Sequence, residues 1–186
     1  MTLANRITLA RVFCIPVFCA LVYLYSPERE WLRWAAFALY TAAALSDILD
    51  GFIARRYHQH SRLGMRLDPL ADKLIVNLGF VFIAANPYFY DVLPRWFMAF
   101  PVIVLSRDVF IVVGALLITS QMGPTQFRPR ALGKATTWAH MSVIIAVLLK
   151  LSLAYYLILI ALICTIASFA DYFYSGAQLA ASRKAA

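Results

Sequence analysis

Only nine acidic residues occur in this chain of 186, and four of them, Asp47, Asp50, Asp68 and Asp72, fall within 26 consecutive positions. Asp47 and Asp50 are three residues apart and Asp68 and Asp72 four, so on helices each pair shares a face. Carboxylates with no Cys or His among them are hard oxygen ligands, which suit Mg²⁺, Mn²⁺ or Ca²⁺ over Zn²⁺. Four negative charges match two divalent cations, and paired metals recur in phosphoryl chemistry. Salt bridges to Arg55, Arg56, Arg62 and Arg66 are the competing explanation; they account for the charges but not for the spacing. A divalent-metal transporter is a further reading. Transporters, however, usually hold such groups near the bilayer midplane on broken helices, whereas these pairs sit at the ends of apolar runs.

The elements that must position these groups are dictated by composition. Hydrophobic residues make up 63% of the chain and charged residues 14%, with mean hydropathy +0.75; a soluble domain carries about 25% charged residues. Runs of about 20 apolar residues cross a bilayer. Six such runs are present, near residues 12–25, 31–54, 67–86, 95–120, 135–150 and 153–174, the last two separated only by Lys150 and Ser152. They predict an all-α integral membrane protein with six transmembrane helices in a single domain, residues 1–186. The opening segment places Leu3, Ile7 and Ala10 on one side, which predicts a short amphipathic interfacial helix over residues 1–11. The first run is rich in large residues and lacks a small-residue cleavage site, as an uncleaved span would. Cys14, Cys19 and Cys164 all lie in apolar runs and read as packing thiols.

With the N-terminus inside, eleven Lys and Arg fall in inner segments against four outside, Arg29, Arg33, Arg95 and Lys150. The positive-inside rule then puts both termini and the aspartates on the cytoplasmic side. Tyr25, Trp31, Trp34, Tyr88, Tyr90 and Trp96 would form the outer aromatic belt. The net charge of +8 comes from short loops between spans, which argues against a nucleic-acid partner. An ionised Asp47 inside the bilayer costs on the order of 2.5–3.5 kcal/mol unless compensated, and the C-terminal end of a helix disfavours it further. A bound cation is the natural compensation.

Asp47-Ile-Leu-Asp50-Gly51-Phe-Ile-Ala54-Arg55, eight further residues, and Gly64-Met-Arg-Leu-Asp68-Pro-Leu-Ala-Asp72 together resemble, without departure, the signature of the CDP-alcohol phosphotransferase family. The resemblance implies transfer of a phosphatidyl group from CDP-diacylglycerol to an alcohol with release of CMP, in a bacterial-type inner membrane and as a homodimer. It implies two divalent cations, Mg²⁺ or Mn²⁺, held by Asp47, Asp50 and Asp68, with Asp72 as the base and a further metal contact. Gly51, Ala54 and Gly64 would let the nucleotide approach the backbone, although small residues also serve close helix packing. Arg55 would meet the diphosphate or snorkel to headgroups.

Asn5, Thr8 and Arg11 resemble the amino-terminal segment of phosphatidylglycerophosphate and cardiolipin synthases of this family, so Asn5 and Thr8 are candidate nucleotide contacts. Gly133-Lys134-Ala-Thr136-Thr137 resembles the glycerophosphate enzymes, while Ser106-Arg107-Asp108 is closer to cardiolipin synthases. Arg107 and Asp108 interrupt an apolar run and need a reason. Either they pair with each other or a neighbouring helix, or Arg107, Arg130 and Lys134 form an anion pocket for the acceptor. Glycerol 3-phosphate is the expected acceptor, phosphatidylglycerol the alternative and an inositol phosphate a weaker third.

Overall fold

The computed structural model describes the backbone of residues 3–57, 64–122 and 131–184, and the side chains of residues 12–46, 73–114, 116–117, 119–120 and 131–176. In hydrocarbon every backbone polar group must bond within its own segment, which makes helices of apolar runs. The six runs accordingly become α1 (Leu3–Tyr23), α2 (Glu30–Tyr57), α3 (Gly64–Ala85), α4 (Phe100–Met122), α5 (Ala131–Leu148) and α6 (Ala154–Lys184). Short 3-10 turns at Pro27–Arg29, Pro87–Phe89 and Arg95–Ala99 join them, and no strand occurs among the described residues. Among these residues three segments are long and apolar enough to cross a membrane: Arg95–Gly114, Ala131–Leu148 and Ala154–Gly176. Val12–Tyr23 and Lys73–Ala85 are shorter apolar helices. The interfacial helix expected over residues 1–11 is not a separate element, because α1 runs unbroken from Leu3 to Tyr23.

α1 packs on α2 and α3, α5 on α6, and α4 bridges α3 and α6. Phe18, Phe80, Phe100, Ile144 and Val147 are fully buried where these helices meet. Gly79 permits the closest approach. A methyl group there would stand 3.1 Å from both Phe18 and Ile144, so alanine would push α1 or α5 away.

One end of the bundle is pinned by side chains that cap helix ends. The last carbonyls of a helix have no partner within it. Asn86, 3% exposed, donates from Nδ2 to Val22 O at 2.7 Å and Tyr25 O at 3.0 Å, and its Oδ1 accepts from Tyr88 N at 2.9 Å. Arg33 donates to Leu148 O at 2.6 Å, tying the start of α2 to the end of α5, and bonds the Glu30 carboxylate at 2.8 Å. That bond holds the Glu30 carboxyl below its ordinary range. Tyr25 belongs to this plug and not to an outer aromatic belt. It is 1% exposed, its ring lies 5.0 Å from Phe89, and its hydroxyl donates to Glu30 at 3.1 Å. Trp31, Trp34, Tyr88, Tyr90 and Trp96 are exposed, as expected of belt residues.

The boundary between the fifth and sixth apolar runs, faint in the sequence, is a sharp helix stop. Leu151 N bonds Ala146 O and Lys150 N bonds Val147 O, both at 2.9 Å, while Lys150 takes a φ of 53°. This is the Schellman pattern, with lysine at the left-handed position that glycine usually fills. Lys150 Nζ reaches Asp91 at 3.0 Å. Cys19 is buried, Cys14 and Cys164 are half-buried, and all three are free thiols.

Candidate functional site

Short connections make successive helices antiparallel. The pinned end gathers the close of α1, the start of α2 and the closes of α3 and α5. The start of α1, the close of α2 and the starts of α3 and α5 therefore share the opposite end. Asn5 and Thr8 lie in the first turns of α1; Asp47, Asp50, Gly51, Ala54 and Arg55 in the last turns of α2; Gly64, Asp68 and Asp72 in the first turns of α3. The backbone thus brings the nucleotide and metal candidates to one end. Their side chains lie outside the described residues, as does all of Arg130. Among the described residues no three His, Cys, Asp or Glu side chains are grouped to hold a metal ion.

The described part of the site begins one residue past the last of these aspartates. A cavity of about 210 Å³ opens between α3, α4 and α5, lined by Lys73, Val76, Asn77, Arg107, Asp108, Thr136, Thr137 and His140. Asp72 stands one helical turn before Val76, in register with this lining. The polar residues converge on Asp108. Its Oδ1 accepts from Arg107 Nη1 at 2.7 Å and from Lys73 Nζ at 3.2 Å, and its Oδ2 accepts from Asn77 Nδ2 at 3.1 Å. Arg107 Nη2 donates to Ser168 Oγ on α6 at 2.5 Å. Lys73 and Asn77 are four apart, which puts them on one face of α3 toward α4.

Two features separate this cluster from an ordinary buried salt bridge. Among the described residues two cations, Lys73 and Arg107, meet one carboxylate. Arg107 Nε and Asn77 Oδ1 are buried and lack a hydrogen-bond partner among the described residues. Leaving such an atom unsatisfied costs about 1–3 kcal/mol. A space of this size holds several water molecules. A small anion fits it.

Charge groups Arg107 with Arg130 and Lys134 in the sequence; Arg130 lies outside the described residues, and among those described Arg107 pairs with its neighbour Asp108 and with Ser168, and through Asp108 with Lys73 and Asn77. Its Nε has no hydrogen-bond partner among the described residues. Lys134 is exposed near the start of α5 and is not part of the cavity lining. Lys73, Asn77, Ser168 and His140 were not foreseen as site residues. The i,i+4 pair Lys73 and Asn77, which interrupts an apolar run, was the available signal.

The sequence model of the family described as CDP-alcohol phosphatidyltransferase matches residues 1–167. Three similar curated proteins each bear the name CDP-diacylglycerol–glycerol-3-phosphate 3-phosphatidyltransferase. The one from Bacillus subtilis (strain 168) is 31% identical over 159 residues, covering 79% of this chain and 76% of its own. The Pseudomonas fluorescens protein is 34% identical over 141 residues, with coverages of 75% and 65%. The Escherichia coli (strain K12) protein is 34% identical over 106 residues, with coverages of 56% and 53%. The matched length is thus between about half and three quarters of these relatives.

Proposed function

The chain belongs to the CDP-alcohol phosphatidyltransferase family, and from that premise we propose that it transfers the phosphatidyl group of CDP-diacylglycerol to glycerol 3-phosphate. The products are phosphatidylglycerophosphate and CMP. The observation that carries the acceptor is the small cavity where, among the described residues, Lys73 and Arg107 share a single carboxylate. The names of the similar proteins point the same way.

In this reading the acceptor's phosphate lies against Arg107 and Lys73, and its primary hydroxyl points toward the aspartate end. The hydroxyl oxygen bonds to the β-phosphorus of the donor as that phosphorus loses its bond to CMP. Asp72 takes the hydroxyl proton, and CMP leaves with the electron pair. General-base assistance of this kind is worth about 10²–10⁴-fold. Asp47, Asp50, Asp68 and Asp72 would hold two divalent cations, Mg²⁺ or Mn²⁺: the donor set is all oxygen and its charge matches the pair. Bound there, the cations screen the diphosphate and stabilise the departing charge. Asn5, Thr8, Gly51, Ala54, Arg55 and Gly64 bind the CDP portion, and Arg130 and Lys134 draw anionic acceptors toward the site.

All six helices cross a bacterial-type inner membrane in this proposal, with both termini and the site cytoplasmic and the enzyme a homodimer. The excess of inner Lys and Arg supports that orientation. Phosphatidylglycerol is the second acceptor to weigh. An apolar groove of about 270 Å³ between α4 and α6 shares Arg107 as its rim, beside Val102, Phe110, Ile166 and Phe169, and it suits an acyl chain.

The test is CMP release by purified protein from radiolabelled CDP-diacylglycerol, with Mg²⁺, Mn²⁺ or chelator and a panel of alcohols. Metal-dependent turnover with glycerol 3-phosphate is expected. No metal-dependent turnover with any alcohol would remove the enzyme reading, and turnover with phosphatidylglycerol alone would replace the acceptor.

A further inference from the structure

The cavity carries one group that a phosphate does not need. His140 lies midway along α5, in an apolar helix, and is 5% exposed. The rings of Phe80 and Phe100 meet it edge to face, at 5.5 Å and 90° and at 5.9 Å and 87°, so its orientation is fixed. Thr165 Oγ1 lies 2.9 Å from His140 Nε2 and 2.7 Å from Ala161 O.

These two distances determine where the ring hydrogen sits. A threonine hydroxyl has a single proton, and the carbonyl of Ala161 can only accept. Thr165 therefore gives its proton to Ala161 and accepts one from the ring, so Nε2 carries the hydrogen. Nδ1 is left with a lone pair, without a partner among the described residues, on a side chain that lines the cavity.

The lining thus offers two kinds of group. Lys73 and Arg107 supply positive charge, as a phosphate requires. His140 Nδ1 is an acceptor, which a phosphate dianion cannot satisfy. A ligand that serves both carries an anionic group and a hydroxyl. The attacking hydroxyl loses its proton to the aspartate end, so the hydroxyl that serves the cavity is a different one.

We propose that His140 is a specificity-determining residue, whose Nδ1 accepts a hydrogen bond from the non-reacting hydroxyl of a small phosphorylated polyol. The inference rests on the proposed function, because it places the acceptor in this cavity. Thr165 is the positioning residue that sets the tautomer.

The test compares glycerol 3-phosphate with propane-1,3-diol monophosphate, which keeps the primary hydroxyl and the phosphate but lacks the secondary hydroxyl. With wild-type enzyme kcat/KM should fall by about tenfold or more for the analogue, the loss of one good hydrogen bond. In His140→Phe and His140→Met the ratio between the two acceptors should approach one. In Thr165→Val it should shrink in the same direction, and this variant serves if neither His140 variant folds. A purely structural role would slow both acceptors equally and leave the ratio intact. If wild-type enzyme turns over glycerol 3-phosphate and the ratio does not move in any variant that folds, the role of His140 is overturned and the function stands. If glycerol 3-phosphate supports no CMP release while phosphatidylglycerol does, the acceptor reading falls and this inference with it.

Discussion

The two halves of this bundle treat buried polar groups in opposite ways. At the pinned end Asn86 and Arg33 are engaged by carbonyls that helices α1 and α5 leave open, and Tyr25 plugs the space between. Around the cavity, Lys73 and Arg107 share one carboxylate, and His140 Nδ1 keeps a lone pair without a partner among the described residues. The first arrangement is complete without a ligand and holds helices together. The second is complete only when something with a charge and a hydroxyl enters. Polarity inside an apolar protein is therefore not one signal but two, separated by whether the hydrogen-bond ledger closes.

The comparison can be broken by substitution. The largest effect belongs to the aspartate end, where Asp72→Asn should lower turnover by about 10²–10⁴-fold while binding of CDP-diacylglycerol, read by titration in detergent, is largely kept. Full activity would move the base elsewhere. Next is Asp108→Ala, which leaves Lys73 and Arg107 side by side without the carboxylate they share. Breaking such a buried pair costs on the order of 3 kcal/mol, visible as a lower unfolding temperature together with lost activity, and Asp108→Asn should lose less. Asn86→Ala should cost about 1–3 kcal/mol in stability, with kcat/KM unchanged at temperatures where the variant stays folded. Loss of catalysis in that folded variant would erase the distinction between the two ends. Smallest is Lys150→Gly. Relief of the left-handed backbone is worth about 1 kcal/mol, and it is offset by the lost contact to Asp91, an exposed pair worth about 0–1 kcal/mol. The melting temperature should barely move.

Much of this was legible in the chain because hydropathy and spacing are local. The six apolar runs became six helices, and the signature aspartates fell at a helix close and a helix start, as their place at the ends of apolar runs predicted. Other features depend on which helix meets which. Tyr25 resembles its neighbours Trp31 and Trp34 in sequence yet is sealed against Phe89, because α1 ends where α3 does. Arg107 looked like a partner for Lys134 in charge, but α4 turns that face to α3 and α6, where Lys73, Asn77 and Ser168 meet it. The stop after α5 was faint because its left-handed residue is lysine instead of glycine.

The most direct test of the central claim, that the Lys73–Arg107 cavity receives the acceptor's phosphate, is the kinetics of Arg107→Ala with each substrate varied in turn. The KM for glycerol 3-phosphate should rise by about tenfold or more, a loss of 1.4 kcal/mol or more, while the KM for CDP-diacylglycerol stays near its wild-type value. An unchanged glycerol 3-phosphate KM in a folded, active variant would contradict the account.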